Sequence, residues 1–268
     1  MIEKLLLPIF CVIFSMSCAF AQKQELVILH TNDTHSQIEP FTNKVDTNVG
    51  GFLRREALVR EIRAKHPDLL LFDAGDFSQG SPYFNFFKGY TEVNMMNAMG
   101  YDAITLGNHE FDNGTAALAK LLKKADFKAV CANYVFDNKA LAKIVKRHIV
   151  LERNGLKIGV FGLTVDLRTL VFPATYSEMT YLDPVTAAKN EVAELKSLGC
   201  NLIICLSHLG IEEDMVNDFV VAKEVPDIDV IIGGHSHKEL SEPIVIGKTR
   251  ICQMAKQGKC IGEITLTY

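Results

Sequence analysis

The stretch "YDAITLGNHEFDNG", residues 101–114, joins an apolar run to a loop dense in polar groups. Between Asn108 and Asp112 it carries an amide, an imidazole and two carboxylates. "AITLG" (103–107) has the length and apolar continuity of a strand covered on both faces. In open α/β sheets, ligands bind in the crevice beyond the carboxyl ends of the strands. An apolar strand emptying into such a loop is therefore the unit to look for elsewhere.

The unit recurs. "ELVILH" (25–30) runs into Asp33 and His35, and "DLLLFDAG" (68–75) stops at Asp76. "NLIICLSH" (201–208) ends in His208, and "DVIIGG" (229–234) leads into His235 and His237. "KAVCANY" (128–134) and "KIGVFGLT" (157–164) read as further strands. Helical patterns lie between, notably "LRREALVREIRAKH" before Pro67, and 183–199, where Asp183 can cap, Pro184 suits the first turn and Gly199 can end the helix. After His237, "PIVIG", "TRICQMA" and "GEITLTY" predict short antiparallel pairings. The expectation is one α/β domain with a mixed sheet or two sheets.

Composition agrees. Of 268 residues 48 % are apolar, enough for one large core, and the net charge of −4 comes with no basic stripe. That argues against binding a nucleic acid duplex or a membrane surface, so a small anionic ligand would need locally placed positive charge. Lys4 followed by "LLLPIFCVIF" and then "AFA" (19–21) predicts a signal peptide over 1–21 and a secreted or periplasmic protein without a transmembrane anchor. Cys18 is the rival lipidation site, disfavoured because Ser15 stands where such sites carry an apolar residue. The remaining Cys131, Cys200, Cys205, Cys252 and Cys260 lack metal-cage spacing, and a Cys252–Cys260 bridge across a hairpin is the one pairing considered.

The strand-end groups have the chemistry of metal ligands. Asp33/His35 and His235/His237 are i, i+2 pairs, whose side chains point to one side if the backbone is extended. Carboxylate, imidazole and amide together suit zinc, manganese or magnesium. Asp33, His35, Asp76, Asn108, His208, His235 and His237 exceed the needs of one tetrahedral ion. Two divalent ions are expected, with Asp76 as the bridge. His30, His66 and His148 have no such context and read as surface or core residues.

The ordered set "DTH", "GDFSQG", "GNHE", "SH" and "GGHSH" resembles the calcineurin-like metallophosphoesterases. "LHTNDTHS", "DAGDFSQGSPY" and "GYDAITLGNHEFDNG" are similar, more narrowly, to the catalytic domain of the 5'-nucleotidase/UDP-sugar hydrolase group. The resemblance runs from about Leu26 to the C-terminus and implies a four-layer α/β/β/α sandwich with two mixed β-sheets and a dimetal site at the strand ends. It implies one ion on Asp33, His35, Asp76 and His237, and another on Asp76, Asn108, His208 and His235. It also puts His109 and Asp112 in the catalytic step. Gln79 replaces the tyrosine ligand of the purple acid phosphatases, which argues against a tyrosinate-bound ferric ion.

Two divalent ions against two carboxylates leave a site of about +2, able to attract phosphate on an acidic protein. Acidified water would be the nucleophile. Asn108 and His109 would touch the phosphate, with His109 donating a proton and Asp112, three residues on, orienting it. Glu110 and Asn113 read as capping or solvent-facing. "SPYFNFFKGY" (81–90) reads either as a substrate-pocket wall or as a packed loop. Two-domain relatives carry a second domain that binds the nucleoside base. The expectation here is a catalytic domain alone, 22–268, with a separately encoded nucleotide-binding domain as a candidate partner. Three functions follow: a dimetal phosphohydrolase acting on nucleotides, a single-domain phosphodiesterase or broad phosphatase, and a non-catalytic metal-dependent binding subunit.

Overall fold

A computed structural model describes residues 25–212 and 216–268. The expected signal segment, 1–21, and Cys18 lie outside the described residues. Alternation along the strands decides the layers. In β1 (Glu25–Thr31), Leu26 and Ile28 face one way and Val27 and Leu29 the other, all buried.

The chain continues through α1 (Phe52–Lys65), β2 (Leu70–Asp73), α2 (Pro82–Phe87), α3 (Tyr90–Met99), β3 (Ala103–Thr105), α4 (Thr115–Leu122) and β4 (Lys128–Val130). Next come β5 (Tyr134–Phe136), α5 (Lys139–Ile144), β6 (His148–Arg153), β7 (Leu156–Thr164), α6 (Pro173–Tyr176), β8 (Met179–Tyr181) and α7 (Pro184–Ser197). The last elements are β9 (Leu202–His208), α8 (Asp218–Glu224), β10 (Val230–Gly233), β11 (Ile244–Ile246), β12 (Thr249–Cys252) and β13 (Gly262–Thr267).

One sheet has the order β13-β1-β2-β3-β4, parallel except for β13. The other has the order β11-β12-β10-β9-β7-β6, parallel at its centre with antiparallel edges. Leu26, Ile28, Phe72, Val160, Ile204 and Ile232 fill the space between them. Val27, Leu29 and Ile104 pack outward on Val93, Met96 and Leu118 of α3 and α4. Phe161, Ile203 and Ile231 pack outward on Val192, Leu195 and Val221 of α7 and α8. The order is helix, sheet, sheet, helix, the expected four-layer sandwich with two mixed sheets. With helices outside both sheets, the central strands are covered on both faces and read as continuous apolar runs.

The local signals hold for α7. Asp183 Oδ1 accepts from the Thr186 N–H at 2.7 Å, Pro184 occupies the first turn, and Gly199 follows the helix at φ 77°. Three expectations need correction. "KAVCANY" is not one strand: β4 stops at Val130 because Cys131 N–H bonds to Lys146 and Ala132 N–H to Gly162, carrying the chain towards the second sheet. "TRICQMA" pairs antiparallel with β11 but parallel with β10, while "GEITLTY" is antiparallel as expected but crosses to the first sheet to pair with β1. No hairpin therefore joins Cys252 to Cys260, and both are free thiols. β6 is an additional strand, joined to β7 by Asn154 and Gly155 at φ 50° and 77°, a turn suited to hairpins. Its His148 pairs with buried Glu191, which Arg147 also reaches. Among the described residues, no helix is long and apolar enough to cross a membrane.

Candidate active site

Because β1, β2, β3, β9 and β10 run the same way within their sheets, their exits deliver the polar groups to one rim. Ligand atoms of Asp33, His35 and His237 lie within 4.8 Å of one another, as do those of Asp33, Asp76 and His208, and those of His35, Asp76 and His109. Asp33, His35 and Asp76 each belong to two of these sets, so the three sets overlap in one cluster. His235 stands beside His208, their ring centroids 5.2 Å apart. Asn108 follows β3 and is 5 % exposed.

The pairs do not converge through extended backbone, as the i, i+2 argument assumed. Asp33, His35, Asp76, His235 and His237 all adopt left-handed conformations, with φ of 49°, 47°, 56°, 67° and 55°. Each costs an L-residue about 1–3 kcal/mol and persists only where its surroundings over-determine it. The tight turns also split the last pair: His237 faces Asp33 and His35, while His235 faces His208.

The chemistry of the set calls for cations. His208 Nδ1 lies 2.7 Å from the Ala74 carbonyl, so that nitrogen carries the proton and donates. In the neutral ring Nε2 is then a bare lone pair, 3.1 Å from an Asp76 carboxylate oxygen. Two acceptors that close need a positive charge between or beside them. In the protein alone a proton supplies it: burial lowers the His208 pKa, but the Asp76 carboxylate outweighs it and drives the ring up to about 10, and a cation would take that proton's place. Asp76 moves the opposite way, against burial, because His208 holds it well below the usual carboxylate range. His35 Nε2 and His237 Nε2 face each other at 3.1 Å, and two ring nitrogens can share at most one hydrogen-bonding proton. Asn108 Oδ1 and His208 Nε2 are buried without a hydrogen-bond partner among the described residues. A cluster of carboxylate oxygens and imidazole nitrogens this close has the donor chemistry of a divalent-cation site.

At the rim, His109 Nδ1 lies 2.9 Å from Asp112 Oδ2, and the His109 ring meets that of His35 edge-on at 5.4 Å. Burial lowers the His109 pKa, but the bond to Asp112 and the charge of Asp76 leave it raised. Asn113 is exposed, as expected. Glu110 is not. It is 5 % exposed and accepts from the N–H groups of Asp76, Gly107 and Ser78 and from the Ser78 hydroxyl. Burial and the Asp76 charge push its carboxyl up to about 7.

Two more supports were missed from sequence. The Asn32 amide donates to Asp33 Oδ2 at 2.7 Å and to the Ala255 carbonyl at 2.8 Å, setting the carboxylate's direction. Gln253, fully buried, donates to the Gly234 carbonyl and accepts from the Ser236 hydroxyl and the Lys238 N–H, which shapes the loop carrying His235 and His237. Asn32 sits inside "LHTNDTHS" and was open to notice; Gln253 is distant in sequence and was not. Gly234 is required for close approach: a Cβ there would meet Ala74 O at 2.8 Å and His208 Nδ1 at 2.9 Å.

The "SPYFNFFKGY" segment forms α2 and leaves Phe86 and Phe87 exposed while burying Phe84. Its Tyr83 lines an apolar recess with Ile38, Phe52 and Leu53. A different recess, about 460 Å³, touches Asp112, though not His109, and is otherwise walled by Leu170, Val171, Phe172 and Pro173. Its sequence signal was the apolar run "LVFP" between turn elements.

Comparison with known proteins agrees with this geometry. Residues 26–239 match the calcineurin-like phosphoesterase family. A snake venom 5'-nucleotidase from Crotalus adamanteus is 39 % identical over 239 residues, 85 % of this chain and 39 % of that protein. A 5'-nucleotidase from Homo sapiens is 38 % identical over 224 residues, 80 % of this chain and 38 % of that protein. The chain thus spans about two fifths of the length of these curated relatives. The structure of a 5'-nucleotidase precursor from Thermus thermophilus superposes with TM-score 0.82 and 34 % identity, covering 91 % of this chain and 52 % of that one. The calcineurin-like phosphoesterase YfkN from Bacillus subtilis superposes with TM-score 0.76 and 26 % identity, covering 92 % of this chain and 86 % of that one. On both sequence and fold, this chain belongs to the calcineurin-like phosphoesterase family.

Proposed function

We propose that this chain is a secreted phosphohydrolase that removes phosphate from nucleotides at a site holding two divalent cations of the zinc, manganese or magnesium class. The observation that carries the reading is the His109–Asp112 pair, bonded at 2.9 Å on the rim of the histidine and carboxylate cluster. A binding module has no use for such a proton donor. Asp33, His35, Asp76 and His237 would hold one ion, and Asp76, Asn108, His208 and His235 the other. When bound, the ions supply Lewis-acid polarisation of the phosphate and acidify the attacking water.

The chain's own residues do the rest. His109, raised in pKa by Asp112 and Asp76, stays protonated to higher pH than a free imidazole and can donate to the leaving oxygen. Asp112 fixes the ring through Nδ1, leaving the other nitrogen to face the phosphate. Asn108 and His109 are the substrate-contacting residues. The recess of about 460 Å³ beyond Asp112 receives the leaving group. The charged residue in its wall, Asp112, is an acid, which favours an uncharged nucleoside over a second phosphate. Phe172, 82 % exposed at its edge, offers a face for a base.

A metal-supplemented panel tests this reading: nucleoside monophosphates, nucleotide sugars, cyclic nucleotides and a chromogenic diester, each with Mn²⁺ and with Zn²⁺. Nucleoside monophosphates should be the best substrates. Phe172→Ala should raise KM for them several-fold with kcat little changed. Dominant diester cleavage would instead support a single-domain phosphodiesterase or broad phosphatase. No turnover of any ester would leave a non-catalytic metal-dependent binding subunit.

A further inference from the structure

Glu110 is a buried acid with four donors and no cationic partner among them. Its Oε2 accepts from the Asp76 N–H at 2.8 Å and the Gly107 N–H at 2.7 Å. Its Oε1 accepts from the Ser78 N–H at 3.2 Å and the Ser78 hydroxyl at 3.0 Å. One carboxylate therefore ties the loop after β2, which carries Asp76, to the loop after β3, which carries Asn108. In return, the His109 N–H donates to Asp76 Oδ1 at 2.9 Å. The two loops are locked together from both sides.

That lock acts where backbone preference opposes the native shape. Asp76 sits at φ 56°, and its own N–H is one of the groups Glu110 holds. Gly107 lies so near that a Cβ would come within 2.2 Å of Asp76 Oδ1. Oε2 alone bridges the two loops, and Oε1 adds the two Ser78 bonds, so all four donors are met only when both oxygens accept. A glutamine of the same size has one acceptor oxygen, so its NH₂ group would face either the Ser78 N–H or the Asp76 and Gly107 N–H groups, and an aspartate would fall one methylene short.

We propose that Glu110 is a positioning residue for the metal centre, clamping the Asp76 and Asn108 loops at the spacing that lets one cation contact both side chains. It rests on the reading that Asp76 and Asn108 share an ion. Glu110 touches neither substrate nor metal in this role; it acts through the direction it gives to Asp76. Removing such an outer partner of a ligand typically costs 10–100-fold in metal affinity.

The test strips metal from the wild-type, Glu110→Gln, Glu110→Asp and Ser78→Ala proteins. Each is then titrated with Mn²⁺ by calorimetry and with Co²⁺ by visible absorption. Glu110→Gln should weaken Mn²⁺ binding about 10–100-fold and shift the Co²⁺ ligand-field bands. Ser78→Ala, which removes one donor of four, should cost less than about tenfold and leave the bands in place. Wild-type affinity and spectrum in folded Glu110→Gln protein overturn the proposal. If that variant does not fold, Glu110→Asp must weaken Mn²⁺ binding more than Ser78→Ala does, and equal affinities overturn it. Both readouts are taken without substrate. A wild-type protein that binds Mn²⁺ but hydrolyses no phosphoester therefore ends the functional proposal and leaves this one, whereas one that binds no Mn²⁺ ends both.

Discussion

Asp112→Asn isolates what a carboxylate contributes to the proposed proton donor. In the native site Asp112 Oδ2 lies 2.9 Å from His109 Nδ1, with the side chains 26 % and 27 % exposed. Asparagine keeps an acceptor oxygen for the ring N–H, so orientation survives, but the imidazolium loses its counter-charge. Hydrogen bonds to charged groups contribute about 1.5–3 kcal/mol. With a quarter of each side chain open to water, the lower end applies, about 1.5–2 kcal/mol, or about 10–30-fold in kcat/KM. His109→Asn removes the donor itself and should cost about 10²–10⁴-fold. Because Asp112 acts through His109, the double variant should be no slower than His109→Asn alone. The assay is kcat/KM on a nucleoside monophosphate at saturating Mn²⁺, with bound metal measured by mass spectrometry to show that it is unchanged. A double variant slower by the product of both single effects would refute the pairing, as would an Asp112→Asn protein with wild-type kinetics.

Chelation should abolish turnover and lower the melting temperature, because cations that bind the native state alone stabilise it by about 2.7 kcal/mol at a hundred times Kd; equal calorimetric transitions in EDTA and in Mn²⁺ would contradict the metal site. Gly107→Ala should lower Mn²⁺ affinity by at least about tenfold in equilibrium dialysis, since the new Cβ would sit 2.2 Å from Asp76 Oδ1. His30 is fully buried in β1, and burial pushes its pKa down to about 4. The unfolded chain therefore takes up a proton that the native state refuses as pH falls through about 6.5, and stability drops by up to about 3 kcal/mol by pH 4. Urea titrations should record that slope, and His30→Leu should flatten it; an unchanged slope would show that other groups govern the acid limb.

Much of this protein was legible before folding was considered. Apolar runs covered on both faces, such as 201–208 and 229–234, could only be central strands, and the layered α/β arrangement follows from their alternation with helices. The Asp183–Pro184–Gly199 signals around α7 are local and were sufficient. Asp33, His35, Asp76, Asn108, His208, His235 and His237 stood out as candidate ligands because ligand chemistry is a property of side-chain type and these stood at strand exits. β6 was hidden because six residues on an edge strand carry little period, although Asn154–Gly155 marked its turn. "TRICQMA" was only half right because the partner of a short strand is chosen by the whole sheet.

Glu110 marks the boundary between the two kinds of information. A charged residue in a polar loop faces water unless donors from elsewhere surround it, and those donors belong to Asp76 and Ser78, which sequence separates from it. The same holds for left-handed Asp33, His35 and His237, whose convergence comes from strained turns and not from strand pleat. Sequence determined which groups exist and which strands deliver them, since periodicity and chemistry are local. Tertiary structure decided which groups face each other, which acid is buried and where the recess opens. Those properties depend on distances between segments, which the local pattern of residues does not contain.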